Sequence, residues 1–151
     1  MKIILSHDVD HLYLYEHWRD SFIPGLIKRT VLDLSRDQLS PRTAIRRFAP
    51  RLNNIRELAT YNAERGLPQT FFFGMEKGLN LSYSPEAATT FIRELVGMGA
   101  EIGLHGMAYQ DRYRMQTEKD KLESILCSTP KLIRNHYLRL EPETHSIMAS
   151  L

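Results

Sequence analysis

Four short β-favouring runs alternate with helical segments along most of the chain, and this alternation constrains the fold more than any other feature. The runs are "IILS" at 3–6, "TFFF" at 70–73, "EIGLH" at 101–105 and "KLIRNHYL" at 131–138. Each is too short for a buried helix and is bounded by turn-forming or charged residues. Strands separated by helices pair in parallel, because a parallel connection needs a long crossover. The expected class is therefore α/β, with a parallel sheet covered by helices and either an open layer or a barrel as its outcome. Four strands cannot close a barrel, so the sheet is either open or part of one.

Helical signals fill the intervals. In 53–66, Ile55, Leu58, Ala59 and Ala63 share a face, and Gly66 supplies the stop. Ser84-Pro85 opens a helix with an apolar stripe of Ala88, Phe91, Ile92, Leu95 and Val96, ending near Gly97 and Gly99. Thr117 is the expected cap of a helix that turns Leu122, Ile125 and Leu126 inward, and 142–151 begins another. Residues 13–50 fit the alternation less well. They mix aromatic and charged side chains, are broken by Pro24-Gly25, and contain a capped helix start at Ser40-Pro41. This stretch reads as an insertion of short helices within one domain spanning 1–151.

The polar residues collect where strands end: Asp8 and Asp10, His105, then Arg134 and His136. In parallel α/β folds the carboxyl ends of the strands are where ligands bind. The opening "LSHDVDHL" is unusual for a buried strand, since a cluster of ionisable groups costs several kcal/mol to desolvate unless paired. A solvated strand end is the plainer reading of Asp-x-Asp alone. Side chains alternate along a strand, however, so Ser6, Asp8 and Asp10 share one face while Leu5, His7 and Val9 share the other. His105 points to the face opposite Ile102 and Leu104. Two carboxylates and an imidazole converging from separate strands form a plausible divalent-metal site. One carboxylate would bind the metal, and the other would take a proton from water attacking a carbonyl.

Composition narrows the classes. A net charge of +2 gives no global argument for nucleic-acid binding. Arg42, Arg46, Arg47 and Arg51 read as a solvated helix face, with an anion patch as the alternative. The single cysteine, Cys127, excludes an internal disulfide and a cysteine-rich zinc site, and its neighbours suggest buried filler. His17 and His145 read as surface residues, and Trp18, Tyr13 and Tyr15 as packing. No apolar run reaches the roughly 18 residues of a membrane span, and the first residues carry no signal-peptide pattern, so a cytoplasmic location is expected if this chain is the whole product.

"LSHDVDH", "GLPQTFFF", "MGAEIGLHG" and "IRNHYLRLEPET", in this order, resemble the polysaccharide deacetylase family, carbohydrate esterase family four. The nearest branch has a His-Asp-Val-Asp-His opening. The resemblance covers nearly the whole chain, with 13–50 the poorest match. It implies part of a distorted (β/α)7 barrel, and removal of N-acetyl groups from a sugar with zinc or a similar divalent ion. By position, Asp8 resembles the general base, Asp10 and His105 metal ligands, and Arg134 the arginine that orients the catalytic aspartate. "TFFF" matches a structural core strand. Tyr109 stands where the family places its second metal histidine, and a phenol with a pKa near 10 is a poor ligand. Either His11 or His136 then completes the coordination, or metal binding is weak, or the site has lost it; His136 is the preferred ligand because its strand end should lie beside that of His105. The family's later motifs, including the histidine that protonates the leaving amine, have no counterpart here, so the domain is expected to be incomplete.

Three functions follow: a metal-dependent carbohydrate deacetylase, a carbohydrate-binding or assembly module that has lost the chemistry, or a related amidase or phosphoester hydrolase. The expected partner is a carbohydrate, with no nucleic acid and no membrane span. An exposed sheet edge would also favour self-association.

Overall fold

A computed structural model describes residues 4–17, 21–48, 54–78 and 81–151. The chain divides into two compact units, one made of the residues through Asp10 together with Ile55–Leu151, the other of His11–Asn54.

The larger unit contains the sheet. Its strands are β1 (Leu5–Val9), β2 (Gln69–Phe73), β3 (Glu101–Gly106) and β4 (Ile133–Asn135), joined by helices α3 (Ile55–Glu64), α4 (Pro85–Gly97) and α5 (Arg112–Leu126) and followed by α6 (Thr144–Ala149). All neighbours are parallel, and their spatial order equals their chain order. Of the two architectures left open by the sequence, this order matches part of a barrel. A doubly wound sheet would reverse direction at a switch point.

Register puts Asp8 beside Phe72 and Phe72 beside Gly103, while His105 lies beside Arg134. Ser6, Asp8, Phe72, Gly103, His105 and Arg134 therefore share one face. Arg134 on the fourth strand hydrogen-bonds Ser6 and Asp8 on the first. Three strand spacings of about 4.8 Å exceed the reach of an arginine side chain across a flat sheet. The sheet is consequently curled, with this face concave.

The opposite face forms the core. Phe71, Phe73, Ile102 and Leu104 are buried, as are Ala88, Phe91, Ile92 and Leu95 of α4 and Met115 and Leu122 of α5. Full burial of the phenylalanine, isoleucine, leucine and methionine side chains among them stabilises by about 1.5–3 kcal/mol each. Ser84 caps α4 through the Ala87 amide, with Pro85 in the first turn as expected.

Several local expectations are corrected. Val96 is exposed, one position off the α4 stripe. In α3 the inward position past Ala59 is Asn62, not Ala63, because Asn62 donates to Gln69, whose own amide donates to the Ala59 carbonyl. Helix α5 starts five residues before Thr117. Its cap is Asp111, which accepts from the Tyr113 and Arg114 amides, while Thr117 bonds back to the Tyr113 carbonyl inside the helix. Cys127 is exposed and ends that helix in a left-handed conformation.

The smaller unit holds a 3-10 turn at Leu14–His17, α1 (Phe22–Ser35) and α2 (Pro41–Arg46). Pro24-Gly25 does not break α1, since proline in the first turn needs no N–H partner. Ser40 caps α2 as its sequence indicates, and Arg47 pairs with Asp33 at 2.7 Å. His17, expected at the surface, is buried with its ring stacked on Phe22. Tyr13 and Tyr15 stack on each other, whereas Trp18 and Arg51 lie outside the described residues. Among the described residues no helix is long and apolar enough to cross a membrane.

Candidate metal centre

Strand β1 ends at Val9, and what fixes that end is a tyrosine far along the chain. The buried Tyr83 hydroxyl donates to the Val9 carbonyl at 2.6 Å and accepts from the Gly74 amide at 2.9 Å, tying the ends of β1 and β2 together. Leu81 packs where a Cβ on Gly74 would stand, so the chain beyond β2 passes close beneath this tie. Asp10 follows directly, half-buried.

His105 is the penultimate residue of β3 and is buried. The loop behind it is held by Glu118 of α5, whose two carboxylate oxygens accept from the Met107 and Ala108 amides at 2.9 and 3.0 Å. Burial pushes the Glu118 carboxyl up to about 7, against the opposing pull of those two amides.

His136 reaches the cluster by another route. The expected strand 131–138 is only three residues long, and His136 begins a tight 3-10 turn. Tyr137 and Leu138 both adopt left-handed backbone conformations there, at a cost of roughly 1–2 kcal/mol per non-glycine residue. Asn135 closes this turn by donating to the Arg139 carbonyl at 3.1 Å.

The three elements bring Asp10 Oδ1, His105 Nε2 and His136 Nδ1 together. His136 Nδ1 lies 2.7 Å from His105 Nε2, and Asp10 Oδ1 lies 3.4 and 3.6 Å from the two nitrogens. A triangle with these sides has a circumscribed radius of about 1.9 Å. That is slightly less than the roughly 2.0–2.2 Å at which zinc takes imidazole nitrogen and carboxylate oxygen, so one such ion can touch all three atoms. Two imidazoles and a carboxylate also form a donor set that zinc commonly takes in hydrolytic sites. The residues present fit a divalent ion.

Beside them Asp8 accepts from Arg134 Nη1 at 2.8 Å, while Nη2 of the same guanidinium donates to Ser6 Oγ at 2.8 Å. The guanidinium lies over the Phe72 ring, 4.2 Å from its centroid. Asp8 and Arg134 are each about one-third exposed, so the carboxylate is held yet accessible.

All five site residues singled out in the sequence thus lie in the larger unit, with Asp10, His105 and His136 grouped and Asp8 joined to Arg134. His11 belongs to the smaller unit, where its ring packs on His17 and Phe22. His7 turns to the far face, against Phe71, and burial lowers its pKa. Tyr109 bonds through its backbone carbonyl to Thr144, with Arg139 over its ring. Sequence reasoning missed Tyr83, Glu118 and Asn135, none of which carries a local motif.

No family model matches the chain, and no curated protein matches it. Among solved structures, its fold is similar to that of IcaB from Ammonifex degensii, with a TM-score of 0.51 at 16% identity. The superposition covers 99% of this chain and 81% of that one. At this identity the likeness is one of fold.

Proposed function

We propose that this chain is a metal-dependent hydrolase of the polysaccharide deacetylase type, acting on an N-acetylated carbohydrate. The observation that carries the reading is the convergence of Asp10 Oδ1, His105 Nε2 and His136 Nδ1 within bonding reach of one ion, on the face where Arg134 holds Asp8. The fold likeness to IcaB and the order of the four motifs are consistent with it.

Asp10, His105 and His136 would hold the ion, for which zinc suits the donor set. Bound there, it would supply Lewis acidity toward an amide carbonyl and lower the pKa of water. Asp8 serves as the general base. Arg134 Nη1 occupies its Oδ1, which leaves Oδ2 to accept a proton from the attacking water. Arg134 fixes the carboxylate plane through its second bond, to Ser6. The side chain is exposed enough to meet a substrate entering from solvent.

The test is release of acetate from N-acetylglucosamine oligomers by the zinc-loaded chain. Acetate release that is lost in Asp8→Asn, with zinc affinity retained, is the expected result. Zinc-independent sugar binding without acetate release would favour the binding module instead.

A further inference from the structure

Glycine in the middle of a strand is costly and contributes no side chain to packing, so its presence in β3 between Ile102 and Leu104 calls for a reason. A Cβ on Gly103 would stand 2.5 Å from Phe72 Cε1 and 2.6 Å from Cδ1. The ring of Phe72 therefore lies across the neighbouring strand and fills the space that a side chain at 103 would occupy. Phe72 is buried and belongs to the concave face, unlike Phe71 and Phe73.

Over the same ring sits Arg134, its guanidinium carbon 4.2 Å from the ring centroid. From there the planar fork reaches Ser6 Oγ and Asp8 Oδ1, both at 2.8 Å. A long arginine crossing a sheet has several rotatable bonds and no strand to guide its tip. A flat aromatic surface restricts the guanidinium to a parallel plane and attracts it through the ring quadrupole. It also removes water from one face, which strengthens the ion pair with Asp8.

We propose that Phe72 and Gly103 are positioning residues for the general base, acting through Arg134. Gly103 lets the ring lie flat, the ring aligns the guanidinium, and the guanidinium orients Asp8. This assignment rests on the reading of Asp8 as the base. Neither residue supplies one of the three grouped donor atoms, so zinc affinity is a control for intact folding.

The experiment compares Phe72→Leu, Phe72→Tyr, Gly103→Ala and the Phe72→Leu/Gly103→Ala double variant. The first readout is the Arg134 side-chain nitrogen–proton resonance by NMR, which the aromatic ring shifts upfield and shields from exchange. Phe72→Leu and Gly103→Ala should each abolish that shift, and Phe72→Tyr should keep it. The second readout is kinetic: kcat should fall roughly ten- to hundredfold in Phe72→Leu with KM little changed, as expected for a misplaced catalytic group. Phe72→Tyr should restore it, and the double variant should be no worse than the poorer single one.

An Arg134 resonance unchanged in Phe72→Leu would overturn the proposal, as would equal kcat in the leucine and tyrosine variants. If the wild-type chain releases no acetate, the deacetylase reading fails, and the NMR readout still decides the platform. Should Gly103→Ala not fold, the two Phe72 variants decide alone.

Discussion

The two halves of the site are built in opposite ways. Asp8, Arg134, Phe72 and Gly103 all belong to strands, and strand register alone brings them onto one face. In the other half, Asp10 and His136 lie just beyond strand ends and depend on side-chain clamps to the backbone. Tyr83 ends β1, Glu118 braces the loop after His105, and Asn135 closes the turn at His136. Strand placement leaves Asp8 and Arg134 about one-third exposed, as the proposed general base needs to meet water. In the other half His105, at the end of β3, and His136, in the turn after β4, are both buried at 2 % exposure and meet Asp10 at one point.

The largest expected effect falls on the strand-borne half. Asp8→Asn removes the proposed proton acceptor while its amide oxygen can still accept from Arg134, and acetate release should drop by roughly 10²–10⁴-fold. Zinc binding should be unchanged, which calorimetry on the same sample would check. Simultaneous loss of both would show that the two halves are not separable.

Tyr83→Phe should act on the loop-borne half. It leaves the buried Val9 carbonyl and Gly74 amide without their shared partner, a loss of roughly 1–3 kcal/mol for each unsatisfied group. Denaturant unfolding should show that loss, with weaker zinc binding because the end of β1 is released. A normal affinity in a destabilised variant would mean that Asp10 is placed by something other than the tyrosine tie.

Glu118 gives a smaller effect with a defined sign. Its pKa is raised from the ordinary carboxylate range to about 7, first by burial. The folded chain therefore holds this proton more tightly than the unfolded chain does. The resulting stability is fully present below about pH 4.5 and is lost as pH rises through 7. Thermal unfolding between pH 5 and pH 8 should show a falling Tm in the wild type. In Glu118→Gln the curve should start lower, since one amide N–H₂ then faces a backbone N–H, and should slope less.

The same contrast explains what could be read in advance. Period-two alternation places Ser6 and Asp8 on one face, His7 on the other, and His105 away from Ile102, all from local sequence. The strand runs and the caps at Ser40 and Ser84 are equally local. By contrast, the turn that shortens β4 involves left-handed Tyr137 and Leu138, residue types that give no such signal. His136 therefore meets the other donors through a turn, although the sequence suggested a strand end. Tyr83 acts on a carbonyl 74 residues away, Glu118 reaches back to amides in the preceding loop, and Asn62 is buried with Gln69 as its partner. These are properties of tertiary contacts, and no window of the sequence contains both partners together with their geometry.

The central claim is that Asp10, His105 and His136 form one metal centre. Zinc calorimetry on the wild type and on Asp10→Ala, His105→Ala and His136→Ala, with unfolding curves to establish folding, tests it most directly. Even an outer-shell partner typically contributes 10–100-fold to metal affinity, so each variant should weaken binding by more than about 100-fold. Wild-type affinity in a folded His136→Ala variant would contradict the claim and require a different third ligand.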